Sequence, residues 1–298
     1  MSNFDDLFDS NQASPGYGDQ PFDKDVWAEQ KQAERKSVFE LADSTALEVG
    51  GDGQKFKAYL DVQARFDRYS TTNALLILAQ KPEATQLRSF DGWKENDVSI
   101  KRHETHIKIL EPGEEYQRED GTVGTSWKVK HVFDISQTNA RVRAQPVTHA
   151  DERMLLKALI NKAPVPMQAV DELPNRMGAY YDHDQQIIFV RRGMEAHDIF
   201  RSVSNELAHA ELACSDPNYS RAEAGFAAYS VSYILCRRNG IDVSGYDFSR
   251  LPDSFRETDA QGIRATLTEI ADTSKNISGR MSRVLEQTKA TRTKEQER

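Results

Sequence analysis

Cysteine and long apolar runs are what this chain has least of. Only 2 of its 298 residues are cysteines, which excludes a disulfide framework and any Cys-x-x-Cys zinc knuckle. Cys214 and Cys236 both fall in helical patterns, where a small buried thiol is the ordinary reading. No run approaches the roughly 18 apolar residues of a membrane span. The N-terminus also lacks the basic-then-apolar order of a secretory signal, so a cytoplasmic protein without membrane partners is expected. An excess of positive charge is missing too. With 39 Lys and Arg against 47 Asp and Glu, the net charge is −8. That excludes a protein coating nucleic acid with its whole surface but permits a local basic groove. The hydrophobic fraction of 38% is low yet sufficient for a core, and the length allows two ordinary domains or one large one.

Residues 1–25 are rich in Asp, Asn, Ser, Gly and Pro and read as a disordered acidic leader. A helical pattern over 26–49, with Val38, Leu41 and Ala42 in its apolar stripe, is broken by the glycines at 50–53. Helices over 54–66 and 70–80 follow, the second stopped by Lys81-Pro82. Strands are predicted over 98–101, 105–110 and 126–134, with 114–124 as a hairpin connection. Residues 26–140 therefore read as a first unit of helices followed by a small antiparallel sheet. A linker over 138–145 leads to a second unit, 146–287. Its pattern is a helix over 150–161, strands over 179–181 and 186–191, and two long helices over 196–214 and 221–239 that end at a Gly240 C-cap. A last helix spans 259–287, and 288–298 is a polar tail. The fold class is α+β, and no internal repeat is present.

The first long helix of the second unit carries Asn205-Glu206-Leu207-Ala208-His209. A zinc peptidase of this type needs two histidines one helical turn apart and a glutamate after the first to activate water. Asn205 and His209 have that spacing and Glu206 stands between them, so the frame is present while the first ligand is not. The following helix, where a third ligand would lie, offers Glu223 and Tyr229. The plain alternative is an ordinary polar pair on a helix.

In the first unit, Lys94, Lys101, Arg102, Lys108, Lys128 and Lys130 are interleaved with Tyr69, Trp93, His103 and Trp127. Cations that track a backbone, together with aromatic rings on which bases stack, are what single-stranded nucleic acid requires. Lys128 and Lys130 share one strand face and Trp127 takes the other. The alternative is a solvated sheet face with tryptophans in the core. His103 and His106, three residues apart on a strand, face opposite ways and do not chelate a metal together.

The strings Tyr69-Ser70-Thr71-Thr72-Asn73-Ala74-Leu75-Leu76-Ile77 and Gln80-Lys81-Pro82-Glu83-Ala84-Thr85, with Trp93, 107–112 and 132–138, resemble the N-terminal domain of ArdC-type antirestriction proteins. That family is carried on plasmids and conjugative elements. The resemblance spans about 33–242 and implies a single-stranded-DNA-binding first domain followed by a zincin-like metallopeptidase fold. It implies DNA contacts at Tyr69, Asn73, Trp93, Lys101, Arg102, Lys108, Lys128 and Lys130. By the same motif, Asn205 stands where the family has its first His ligand and Tyr229 where it has a Glu. His209 and Glu206 are then a vestigial ligand and a vestigial general base, and no cofactor is expected. The family also favours a glycine turn and a further lysine after its basic pair, where this chain has Lys101-Arg102-His103-Glu104-Thr105. Two alternatives stay open. One is a peptidase holding zinc through His209 with Glu223, His183 or His197. The other is a scaffold that grips a protein or peptide in the former substrate cleft. In the vacant site, Asn205 is expected to hydrogen-bond His209 and Tyr229 to fill the metal position.

Overall fold

The computed structural model describes residues 23–117, 121–140 and 151–296. The expected leader up to residue 22 and the expected linker from 141 onward lie outside the described residues. Helix α1 (Lys24–Gly51) starts at Asp23, whose carboxylate accepts from the N–H groups of Asp25 and Val26. Asp52 then ends α1 and caps α2 (Gly53–Arg65), accepting from Gln54 and Lys55 N–H at 2.7 and 2.9 Å. Gly53 is required there, because a Cβ would stand 1.9 Å from the Phe248 carbonyl oxygen. Ser70 caps α3 (Thr71–Gln80), which stops before Pro82 as predicted.

The first sheet has the order β1–β3–β2, from β1 (Leu87–Arg88), β2 (Ile107–Gln117) and β3 (Val123–Asp134), with α4 (Phe90–Lys94) between the first two. Strand β2 runs well past its predicted end. The register shifts between Pro112 and Glu115, a bulge at the residue that has no N–H to give the ladder. The hairpin connection is correspondingly shorter than the predicted 114–124. The predicted strand 98–101 reduces to one bridge, Ile100 to Thr138, in a segment bracketed by positive φ at Asp97 and His103.

The free edge of β2 is covered by two side-chain amides of α3. Asn73 donates through Nδ2 to the Leu110 carbonyl and accepts the Leu110 N–H, both at 2.8 Å. One step along, Gln80 does the same with Lys108, both at 2.9 Å. Each amide supplies the pair of bonds a neighbouring strand residue would give, which closes the edge at Lys108 and Leu110.

Glu34 ties α1 to the other side of this sheet. Its carboxylate lies 3.1 Å from each of Lys31 Nζ, Lys108 Nζ and His131 Nε2. Burial alone would raise its pKa, but those hydrogen bonds lower it from 4.5 to about 2. A carboxyl held below its unfolded value stabilises the fold above that value and loses the contribution as pH falls. We therefore expect an acid-induced loss of stability between about pH 4.5 and 2 that is reduced in Glu34→Gln, as read by urea midpoints across that range. Equal acid sensitivity in the two proteins would contradict this assignment.

The second half holds α5 (Glu152–Ile160), β4 (Met167–Val170), β5 (Ala179–Asp182), β6 (Ile187–Arg191), α6 (Ala196–Ser215), α7 (Arg221–Arg238), α8 (Asp253–Arg256) and α9 (Ala260–Gln296). Its sheet has the order β4–β6–β5, parallel then antiparallel, so β5 is an edge strand. Gly240 follows α7 with φ of +73°, the left-handed residue the C-cap requires. Helix α9 continues to Gln296, well into the stretch read as a polar tail. Of the two cysteines, Cys236 is buried and Cys214 is exposed.

The fold is α+β, and one set of buried residues runs through both halves. Phe56 of α2 packs against Phe226, Phe248 and Phe255 at centroid distances of 5.0–5.5 Å. Asp61 takes hydrogen bonds from the Tyr233 hydroxyl and Arg237 Nε. Among the described residues no helix is long and apolar enough to cross a membrane.

Candidate functional site

Helix α6 buries Phe200, Val203, Leu207 and Ala210 along one side, and the same packing takes Glu206 and His209 out of water at 4% and 3% exposure. Two buried titratable groups one turn apart need partners. Those partners come from β5 and from the α6–α7 junction.

The Glu206 carboxylate receives four hydrogen bonds. Oε2 accepts from the Tyr181 N–H at 2.7 Å and from Arg221 Nη1 at 2.9 Å. Oε1 accepts from Arg221 Nη2 at 2.9 Å and from Asn205 Nδ2 at 3.0 Å. A carboxylate offers about four lone-pair sites, so this one is saturated. Arg221, the first residue of α7, forks across both oxygens in the bidentate geometry that makes such pairs strong. Its guanidinium carbon lies 4.7 Å from the centre of the Tyr180 ring. Burial works against its charge, but Glu206 more than offsets that and the guanidinium stays protonated.

His209 Nδ1 is 2.9 Å from the Tyr219 hydroxyl, and which group donates depends on the imidazole tautomer. Burial pushes the imidazole down to about 4, with the Arg221 charge adding to the effect and Glu206 opposing it, so the ring is neutral at pH 7. Burial also pushes the Tyr219 phenol up to about 12. Tyr219 lies between His209 and His183, with ring centres 6.2 and 5.0 Å away.

The donors do not fit a catalytic zinc, which takes three protein ligands and keeps one position open. Asn205 donates to Glu206 rather than to His209, which corrects the bond expected across the vacant site. The Tyr229 hydroxyl accepts from the Asp247 N–H at 3.0 Å and its ring packs on Tyr246 and Phe248, so its polar end is committed to that loop and does not fill a metal position. His183 and Glu223 are exposed and His197 sits beside Asp198. Among the described residues no three His, Cys, Asp or Glu side chains gather where an ion could be held. The edge of β5 is engaged as well. Tyr181 gives its N–H to Glu206, and Arg221 Nη1 lies 3.5 Å from its carbonyl. A peptide adding to that edge would have to displace both.

Arg221, Tyr219 and Tyr181 are not among the residues the sequence singles out for the site. Arg221 does leave a signal there. An arginine at the first position of a helix opposes the helix dipole, and that placement asks for a nearby carboxylate.

The expected DNA contacts divide into buried and surface groups. Trp93 is 3% exposed and donates Nε1–H to the Phe133 carbonyl. Asn73, at 7% exposure, is the clamp on Leu110. Neither can serve as a base platform or a phosphate contact. Tyr69 is half-buried, edge-on to Phe66. Lys101 reaches the Ser136 carbonyl at 2.8 Å, and Arg102 is exposed. Lys108, Lys128 and Lys130 pair with Glu34, Glu114 and Glu111. Lys108 shares its face with Leu110 and Trp127, whereas Lys128 and Lys130 share theirs with Tyr116, which is 50% exposed. The closing string 132–138 is structural. Asp134 accepts from Thr85 and Gln86 N–H and forms a reciprocal cap with Gln137.

Taken together, fold and site define an α+β protein whose Glu-x-x-His helix is occupied by an internal arginine. No family model matches the chain. It is 24% identical over 271 residues to the uncharacterized protein pXO2-81 of Bacillus anthracis, covering 72% of this chain and 46% of that protein. It thus spans less than half the length of that relative. Among solved structures it is similar to the antirestriction protein ArdC from plasmid R388, in metal-free and Mn(II)-bound crystals. Each gives a TM-score of 0.48 and 16% identity over 72% of this chain, with 86% and 84% of the ArdC chains covered.

Proposed function

We propose that the chain is an antirestriction-like accessory protein of a mobile element that binds single-stranded DNA. In this reading its second half is a zincin-like scaffold without peptidase activity. The observation that carries the DNA reading is the β2–β3 hairpin, where Tyr116, Lys128 and Lys130 share one face beyond the buried core. That face offers a stacking surface beside cations. The ion pairs of Lys128 and Lys130 are on the surface and worth little, so a phosphate can displace the glutamates. The non-catalytic reading is supported by the saturated Glu206. A base whose lone pairs are all engaged, two of them by a guanidinium, cannot take a proton from water.

Fluorescence anisotropy with a labelled single strand at low salt tests the DNA reading. We expect binding that falls steeply with salt. Lys128→Glu with Lys130→Glu, and Lys101→Glu with Arg102→Glu, should each weaken it. Tyr116→Ala should weaken it by about 5- to 150-fold, the value of one stacked base. No binding, or binding indifferent to both charge reversals, would contradict the proposal.

A further inference from the structure

The turn between α2 and α3 and the facing side of α9 enclose a cavity of about 280 Å³. That is near the lower end, about 300 Å³, of pockets that hold small ligands. Tyr69, Ser70 and Thr72 line one side and Thr268, Asp272 and Lys275 the other, with Arg68 also in the wall. A hydrogen bond of 3.0 Å from the Thr268 to the Thr71 hydroxyl holds the two sides together.

The wall of this cavity carries charges of both signs. Many surface cations of the described residues are paired with a carboxylate, including Lys108, Lys128, Lys130, Arg237, Arg238 and Arg264. Asp67, also in the wall, is occupied by Arg238. Arg68 and Lys275 make no ion pair among the described residues, although both border the same cavity. Asp272 brings an opposite charge to the same wall but makes no ion pair with either, so the donors of Arg68 and Lys275 can meet an anion at this concave polar site. The half-buried Tyr69 ring adds an aromatic surface, and the Asp272 carboxylate can accept from an exocyclic amino group. Phosphate, ring and amino group together describe a nucleotide.

Burial raises the Tyr69 phenol, and the charge of Lys130 from the hairpin acts against that rise. We infer that this cavity is a nucleotide pocket, in which Arg68 and Lys275 hold a phosphate and Tyr69 faces the base of one unit of the bound strand. The inference rests on the single-strand reading for the identity of its ligand.

The test uses the full chain with two probes, a deoxynucleoside monophosphate followed by NMR and a labelled single strand of roughly 20 nucleotides, enough for one binding site, followed by anisotropy. The variants are Arg68→Ala with Lys275→Ala, and Tyr116→Ala. Both cations are exposed and make no ion pair among the described residues, so the double variant should keep the wild-type melting temperature. We expect it to abolish monophosphate binding and to weaken strand binding at least tenfold. The slope of log Kobs against log salt should fall by roughly 0.7 for each phosphate no longer held. Tyr116→Ala should weaken the strand only. If the strand binds and the double variant changes neither affinity nor slope, the pocket is wrong and the hairpin reading survives. If the monophosphate binds through Arg68 and Lys275 while the strand does not bind, the pocket stands and the strand reading fails. If neither probe binds wild-type protein, both are overturned.

Discussion

Arg221→Ala is expected to destabilise the chain by about 2–4 kcal/mol, less than the roughly 3–5 kcal/mol for breaking a fully buried ion pair because the guanidinium is part-exposed and screened by water. Glu206 is 5% exposed in its side chain and Arg221 35%, so removing the guanidinium leaves the carboxylate charged in a dry site. The Tyr180 ring loses its cation at the same time. Most of that loss is the cost of a stranded charge and not the net worth of the pair. Replacing both members with leucine removes the stranded charge as well, and the double variant should recover most of the loss. A double-mutant cycle by urea unfolding measures this directly, and we expect a coupling above about 1.5 kcal/mol, well within the range for contacting residues. Stability of Arg221→Ala within about 0.5 kcal/mol of wild type, the scatter of ordinary surface changes, would show that the fork is not what holds Glu206.

Asn73→Ala is the second large effect. The clamp supplies both a donor and an acceptor to the buried Leu110 backbone. Removing it leaves an N–H and a carbonyl unsatisfied at about 1–3 kcal/mol each, so a loss of about 2–6 kcal/mol is expected. Gln80→Ala should cost less, because Lys108 is partly exposed. The same Asn73 variant separates two readings of the Tyr69–Asn73 string. If Asn73 is structural, the folded fraction of Asn73→Ala binds single strands as wild type does. Normal stability with a large loss of DNA affinity would return Asn73 to the DNA contacts.

Much of the framework is legible in the sequence because local signals agree with the fold. The break at 50–53, the Pro82 stop and the Gly240 C-cap each follow from short-range backbone chemistry, and each lies within a few residues of its effect. Strand β4 is not legible, because Met167–Val170 is four residues long, follows two prolines and carries no alternation. The extension of β2 is hidden because Pro112 reads as a terminator unless the bulge that tolerates it is known. Side-chain roles are harder. Asn73 and Trp93 carry the polar and aromatic groups that DNA contacts need, but the bonds that claim them come from residues 37 and 40 positions away. Within the Glu-x-x-His frame the missing ligand is readable and its replacement is not. Nothing local says that Arg221, 15 residues on, turns back across Glu206. Its position against the helix dipole is the one available hint.

In this molecule an arginine has taken over the carboxylate that a metal site of this frame would use. Zinc analysis of purified wild-type, His209→Ala and Asn205→His protein, each dialysed against zinc and then buffer, tests that claim most directly. Sub-stoichiometric zinc is expected in all three, because restoring a histidine at 205 leaves the Arg221 fork on Glu206 in place. About one zinc per wild-type chain, lost in His209→Ala, would contradict it.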